Sequence, residues 1–103
     1  MSLELDQDGH LVDYRIWTPE IAQQLAQSLE LELTSWHFDI LFALRNFYAE
    51  YGYAPATRPL IKYLIKMVNP EISNQLLMEQ FKTGLVARHL TRLSGLPKPP
   101  NCL

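Results

Sequence analysis

Apolar residues recur at helical spacing through most of the chain, and residues that cap or stop helices separate the segments. Threonine or asparagine, followed by proline or an acid, marks several helix starts, and Gly52 and Gly95 mark two ends. The pattern predicts five helices, at residues 18–29, 34–51, 57–67, 69–81 and 85–94.

The residues before the first helix alternate between apolar and polar types around a turn at residues 6–9, which is typical of a small β-hairpin. The stretch Asp6-x-Asp8-Gly9 also begins like a calcium loop, but the later ligands of such a loop are missing. Short links force neighbouring helices to pack together. The predicted fold is mostly α, an orthogonal five-helix array with a small N-terminal β-hairpin and an extended C-terminal arm.

The last nine residues differ from the rest of the chain. Pro97, Pro99 and Pro100 remove amide donors and favour an extended path. We therefore expect a helical domain with the hairpin at residues 1–94 and a flexible arm at residues 95–103. Fully extended, an arm of this length reaches about 30 Å. The single cysteine, Cys102, lies at its tip.

Length and charge narrow the class of protein. A chain of 103 residues with 48% hydrophobic content fits one globular domain. The formal net charge of −2 gives no overall basic character for binding DNA or anionic membranes. Residues 1–52 carry two bases and nine acids (net −7), whereas residues 53–103 carry seven bases and two acids (net +5). Without a long apolar run or a basic leader, the chain is expected to be cytoplasmic and not membrane-bound.

The bases of the second half recur at helical spacing. They are Arg58, Lys62 and Lys66 on the third predicted helix, Arg88 and Arg92 on the fifth, and Lys98 on the arm. One interpretation is a solvated helix face. The other is a docking surface for an acidic partner, or for the phosphates of a tRNA that the partner holds. The sequence alone leaves both open.

Cys102 is the candidate catalytic residue. A lone cysteine excludes an internal disulfide, a Cys-x-x-Cys redox pair and a thiolate zinc cage. His10, His37 and His89 are dispersed, so we predict neither a metal site nor a bound cofactor. His37 is expected to be a hydrogen-bonded structural histidine. A cysteine beyond three prolines has little chance of lying in the core, which favours a functional thiol.

The arm resembles that of a known family. Gly95-Leu96-Pro97-Lys98-Pro99, with Cys102 one residue before the end, is similar to the C-terminal arm of the DsrC/TusE family of sulfur-relay proteins. The resemblance continues upstream, in the same order, in Asp6-x-Asp8-Gly9-x-Leu11 with Trp17, Leu33-Thr34 with His37, Leu44-Arg45-x-Phe47-Tyr48-x-x-Tyr51, and Pro55-Ala56-x-Arg58-x-Leu60.

This resemblance implies a sulfurtransferase that carries a persulfide on Cys102. One branch of the family has a second cysteine eleven positions earlier, and here that position is Thr91. The resemblance therefore favours the TusE-like branch, whose single thiol passes sulfur toward tRNA 2-thiouridine synthesis. It also implies a TusBCD-like donor complex, a tRNA-thiolating acceptor enzyme and at most indirect contact with tRNA. The alternatives are a DsrC-like partner of sulfite reductase or sulfur-oxidation proteins, and a non-catalytic regulatory binding module.

The chemistry of such a carrier follows from its thiol. The thiolate attacks the outer sulfur of a donor's persulfide, and an acceptor later takes that sulfur. A free cysteine is mostly protonated at neutral pH, and the neighbouring carboxylate of Leu103 disfavours the thiolate further. We expect Cys102 to react slowly when free and to be activated by positive potential when docked, with help from Lys98 or Arg92.

Overall fold

Five α-helices form the body of the protein, as the periodicity predicts. The computed structural model describes residues 3–100. The helices are α1 (Pro19–Ala26), α2 (Ser35–Tyr51), α3 (Thr57–Met67), α4 (Asn74–Gln80) and α5 (Val86–Leu93), with short 3-10 helices at Tyr14–Ile16 and Gln27–Leu29. Among residues 3–100, none of the helices combines the length and apolar character that crossing a bilayer requires.

Local capping explains where the first two helices begin. The Thr18 hydroxyl accepts a hydrogen bond from the Ile21 amide at the start of α1, and Pro19 occupies the first turn. At the start of α2, the Thr34 amide donates to Nδ1 of His37 at 2.9 Å. The helix ends at Gly52, whose φ of 80° lies in the left-handed region that glycine adopts without strain.

Helix α5 lies at the centre of the fold, where it packs against α1, α2, α3 and α4. Its inward residues include Leu90, Thr91 and Leu93, and all three are fully buried. Leu44 of α2 and Leu64 of α3 are also fully buried in the same core. Burial of each such leucine contributes about 1.5–3 kcal/mol to the stability of the fold. The packing of α5 in this core therefore sets the position of its C-terminal end.

The predicted N-terminal hairpin is wrong. Within residues 3–100 the chain forms no strand, only one antiparallel bridge between Leu5 and Leu11. The Asp6 carboxylate accepts hydrogen bonds from the amides of Asp8 and His10, which closes the turn locally. Directly after the bridge the chain enters the 3-10 helix at Tyr14–Ile16, so there is no second extended segment of sufficient length to pair.

The predicted start of α4 at residue 69 is also wrong. The side chain of Asn69 accepts a hydrogen bond from the Glu71 amide at 2.8 Å, and the Ile72 amide donates to the Asn69 carbonyl. These bonds form a turn, because asparagine before proline favours turns as strongly as helix starts. The helix begins instead at Asn74, where the hydroxyl of Ser73 accepts from the Leu76 amide.

Candidate functional site

Cys102 lies outside the described residues, so the described part of the candidate site is the base of the arm. The described part of the predicted arm is residues 95–100. It begins where α5 ends, so the geometry of that helix end decides the direction in which the arm leaves the body. We call residues 95 and 96 the arm root.

The end of α5 is closed by a glycine motif. Gly95 has a φ of +77°, its amide donates to the Arg92 carbonyl, and the Leu96 amide donates to the Thr91 carbonyl. This pair of bonds is the Schellman arrangement of helix ends. A Cβ at position 95 would overlap the side chain of Trp17. Glycine is therefore required both for its backbone conformation and for the close approach of the indole.

Three donors from the first half of the chain bind the carbonyls that the glycine motif leaves open. Nε1 of Trp17 donates to the Leu93 carbonyl at 2.8 Å, and Nη1 of Arg45 donates to the Ser94 carbonyl at 2.9 Å. Nδ1 of His10 lies 2.8 Å from the Leu96 carbonyl, which can only accept, so this nitrogen carries the proton. We call His10, Trp17 and Arg45 the anchor residues.

Arg45 connects the anchor residues to one another. Its guanidinium carbon lies 4.7 Å from the centre of the Trp17 ring and 5.7 Å from that of Tyr14. Burial lowers the pKa of Arg45, but an arginine stays charged at neutral pH. A positive charge at the end of α5 also interacts favourably with the partial negative charge of the helix C-terminus. Arg45 therefore binds the Ser94 carbonyl by charge as well as by geometry.

The described arm stays in contact with the body beyond its root. Leu96 is fully buried, Pro99 is buried, and Nζ of Lys98 lies 3.7 Å from the Asp8 carboxylate. Both partners of that ion pair are about one-third exposed, so it contributes little stability. The contacts with the body thus continue past the expected boundary at residue 94. The flexibility expected of residues 95–103 as a unit remains a prediction.

Thr91 occupies the position at which the resemblance places a second cysteine in the other branch of the family. Its side chain is fully buried, and its hydroxyl donates to the Ala87 carbonyl at 2.6 Å. Its own carbonyl accepts from the Leu96 amide. Position 91 therefore lies directly beneath the arm root, although its residue here cannot form a disulfide.

The predicted docking residues fall into three environments, on α3, on α5 and on the arm. Arg58, Lys62 and Lys66 are exposed on α3 and form no ion pair with any residue in the described range 3–100. They form a basic stripe that water or a partner can reach. Lys98, by contrast, already lies beside Asp8.

The two arginines of α5 are half-buried. Nη2 of Arg92 donates to the Ser28 hydroxyl at 2.7 Å, and burial lowers its pKa. Nε of Arg88 is buried and has no partner within residues 3–100. Burial, together with the nearby charges of Arg92 and Arg88, lowers the pKa of His89. Arg92 thus connects α5 to the segment after α1, and its role is at least partly structural.

The histidines do not form a metal-binding group within residues 3–100. His37 accepts from Thr34 at Nδ1 and donates from Nε2 to the Gln80 carbonyl at 2.7 Å, which confirms a structural histidine that joins α2 to α4. Over the described part of the chain, no group of three histidine, cysteine, aspartate or glutamate side chains is arranged to hold a metal ion. His10 is fully buried, and its Nε2 has no partner among the described residues.

Comparison with known proteins identifies the family. A family model described as "DsrC like protein" matches residues 1–103. The chain belongs to the DsrC-like family. One curated relative is "Sulfurtransferase TusE homolog" of Haemophilus influenzae, which is 33% identical over 103 residues, 100% of this chain and 94% of that protein.

Two solved structures of the DsrC-like family have the same fold. The NMR structure of DsrC from Allochromatium vinosum superposes with a TM-score of 0.86 at 36% identity, covering 100% of this chain and 92% of that one. The crystal structure of the oxidized gamma-subunit of the dissimilatory sulfite reductase (DsrC) from Archaeoglobus fulgidus gives a TM-score of 0.82 at 37% identity, covering 100% and 94%. The mostly helical five-helix fold that the sequence pattern predicts is confirmed.

The anchor residues are the part of the site that sequence reasoning missed. From the sequence, Trp17 and Arg45 stand out only as parts of the family resemblance, and His10 only as one of three dispersed histidines. Their partners lie 76 and 86 residues later in the chain. The one local signal is Gly95, because a helix end closed by glycine still leaves later carbonyls that need donors.

Proposed function

We propose that this protein is a cytoplasmic sulfur carrier that accepts sulfane sulfur as a persulfide on Cys102 and passes it along a protein relay toward tRNA 2-thiouridine synthesis. The observation that carries the proposal is the Gly95-Leu96-Pro97-Lys98-Pro99 segment followed by Cys102 in a chain of the DsrC-like family. Curated relatives named as sulfurtransferases support it. A free thiol is best maintained in the reducing cytoplasm.

The transfer needs no external oxidant or reductant. The thiolate of Cys102 attacks the outer sulfur of a donor cysteine persulfide, so that a new S–S bond forms as the donor's S–S bond breaks. The donor leaves as a thiolate and takes up the proton that Cys102 released. An acceptor thiolate then attacks the outer sulfur of the Cys102 persulfide in the same way. The Cys102 thiolate is regenerated, and the sulfur has moved one step along the relay.

The partners are two proteins, a TusBCD-like donor complex and a tRNA-thiolating acceptor enzyme. The exposed bases Arg58, Lys62 and Lys66 give them a docking surface that attracts acidic side chains. Arg88, Arg92 and Lys98 lie closer to the arm and supply positive potential near it. Because α3 offers only one short basic stripe, we expect any contact with tRNA to be made mainly through the acceptor enzyme.

A second candidate function is that of a DsrC-like partner of sulfite reductase or sulfur-oxidation proteins. It is favoured by the solved DsrC structures, whose identities of 36% and 37% slightly exceed the 33% of the TusE-named relative. Against it stands Thr91 at the position of the second thiol of that branch. A non-catalytic binding module is the third candidate, in which the arm docks without carrying sulfur.

Mass spectrometry of the intact protein tests the proposal. After incubation with glutathione persulfide and, separately, with a persulfide-loaded TusBCD-like complex, we expect one added sulfur atom, about 32 Da, that dithiothreitol removes. Cys102→Ser should show no addition. A second incubation with the acceptor enzyme should return the protein to its original mass. An unmodified protein after both donors, with the thiol reduced beforehand, would overturn the sulfur-carrier proposal and favour the binding module.

A further inference from the structure

We propose that the anchor residues His10, Trp17 and Arg45 are positioning residues for sulfur transfer, because they fix the arm root and thereby the direction from which Cys102 is presented to a docked partner. This inference rests on the proposed function. It adds that the first half of the chain, and not the arm alone, determines how efficiently a protein donor reaches the thiol.

The decisive contact is the one that His10 makes. The carbonyls of Leu93 and Ser94 belong to the end of α5, so the bonds from Trp17 and Arg45 also complete a helix. The Leu96 carbonyl lies two residues beyond the helix cap. The fully buried side chain of His10 therefore binds the backbone of the arm itself. A residue needed only to close the helix would have no reason to bind there.

Burial makes this contact persistent. His10 and Leu96 are both fully buried, so water does not compete for the hydrogen bond between them. A hydrogen bond in a medium of low dielectric is stronger than one in water. Gly95, pressed against Trp17, prevents the root from shifting sideways. In the arm root, His10 thus holds the Leu96 carbonyl, and the Trp17 indole holds Gly95 in place.

The length of free chain shows why this matters for transfer. Cys102 is eight residues beyond Ser94 but only six beyond Leu96. At about 3.5 Å per residue, anchoring at Leu96 shortens the maximum reach from about 28 Å to about 21 Å. When the body is docked on a donor, a shorter tether with a fixed origin raises the effective concentration of the thiol at the donor's persulfide. A released root would have to be ordered again at each docking event.

Variants at position 10 test the role of the anchor. His10→Leu replaces the hydrogen-bond donor with an apolar side chain, whereas His10→Asn keeps an amide nitrogen near the place of Nδ1. For each variant we would measure the rate of sulfur uptake from the persulfide-loaded TusBCD-like complex and from glutathione persulfide. We expect the rate with the complex, divided by the rate with glutathione persulfide, to fall about tenfold in His10→Leu, which is the factor for ordering one more backbone residue. This ratio should recover in His10→Asn.

The ratio separates positioning from a general effect on folding. Glutathione persulfide has no docking surface, so its reaction reports only on the thiol. As a measurement independent of sulfur, the ¹⁵N heteronuclear NOE of the Leu96 and Lys98 amides should fall in His10→Leu while amides of α2 keep their values. A lower NOE with an unchanged ratio would overturn the positioning role, and so would an unchanged NOE. Wild-type protein that takes sulfur from neither donor would overturn the proposed function itself, while the NOE would still report whether His10 anchors the arm.

Discussion

The indole nitrogen of Trp17 donates to the carbonyl of Leu93, 76 residues later in the sequence, at 2.8 Å. The same indole packs against Gly95, so one side chain both completes the end of α5 and sets the position of the residue from which the arm departs. The five-helix body and the thiol arm are therefore joined by specific contacts. Several measurable properties depend on this joint.

Replacing Trp17 by phenylalanine should destabilise the protein by about 1–3 kcal/mol, because the Leu93 carbonyl loses its donor in a buried environment. Urea unfolding monitored by circular dichroism measures the change. Trp36→Phe is the comparison variant, since its indole makes no hydrogen bond to any residue within 3–100; its side chain is half-buried, whereas that of Trp17 is buried. Equal losses of free energy in the two variants would show that ring size, not the hydrogen bond, is responsible.

Gly95→Ala should be more harmful than Gly52→Ala. Both glycines have a positive φ, 77° and 80°, so each substitution brings the strain of a left-handed backbone, about 1–2 kcal/mol. At Gly52 an added Cβ meets no atom within 4 Å, whereas at Gly95 it overlaps Trp17. We expect an additional loss of about 1–3 kcal/mol at position 95 from this overlap. Equal unfolding free energies for the two variants would contradict the close packing of Gly95 on the indole.

Thr91→Cys should form an intramolecular disulfide with Cys102 under mild oxidation, because position 91 lies beneath the arm root. The burial of that position should make the reaction slow, since a buried thiol is poorly accessible. Intact mass and free-thiol titration follow the reaction. Thr91→Cys combined with Cys102→Ser should keep its thiol. If the double-thiol protein gives only intermolecular dimers, the arm does not fold back toward α5.

Lys62→Gln should weaken docking without affecting stability. Lys62 is exposed in the middle of the basic stripe, so its loss should raise the KM for the donor complex several-fold, leave kcat unchanged and flatten the dependence on salt. Lys82→Gln is the control, an exposed lysine outside the stripe whose Nζ lies 3.4 Å from the Glu30 carbonyl. Unfolding free energies should change by less than about 0.5 kcal/mol. The same KM for Lys62→Gln, Lys82→Gln and wild type would favour a simply solvated face.

Stability should fall as the pH is lowered below 6.5, through His89. Burial and the charges of Arg92 and Arg88 lower the pKa of His89 in the folded protein from 6.5. Below pH 6.5 the unfolded chain therefore binds a proton that the folded chain does not yet bind, and the free energy of unfolding decreases until the lower folded-state pKa is reached. Above pH 6.5 the effect is constant.

His89→Gln isolates this contribution. Urea unfolding between about pH 5 and pH 8 should give a flatter profile for the variant than for wild type. His37→Gln serves as the comparison, because it removes a buried histidine from another part of the core. Parallel profiles for wild type and His89→Gln would rule out His89 as the source of the pH dependence.

Local sequence patterns predict most of the helical fold. The ends of α2 and α3 were predicted at Tyr51 and Met67, where the structure has them, because caps, glycines and apolar spacing lie within a few residues of one another. The same reasoning misplaced the start of α4, since Asn69 uses its side chain to form a turn with the residue types that also begin helices. It also expected a hairpin where Asp6 closes the turn with its carboxylate.

Less of the candidate site could be predicted from the sequence. The segment at residues 95–99 and Cys102 were recognised from local residues, and Cys102 lies outside the described part of the chain. The bonds from His10, Trp17 and Arg45 join residues 49 to 86 apart. No spacing rule connects positions so distant, because their contact is a product of how α1, α2 and α5 pack. One sequence shows which donors exist but not which carbonyls they reach.

The contact between His10 and Leu96 also orders events in folding. Joining residues 86 apart closes a large loop, and such contacts form late compared with the local bonds of the helices. During synthesis, His10 lacks this partner until Leu96 has been added to the nascent chain. The contact between His10 and the arm consequently forms only after Leu96 has been synthesised. A partner that recognises the held arm would distinguish mature carriers from chains still being made.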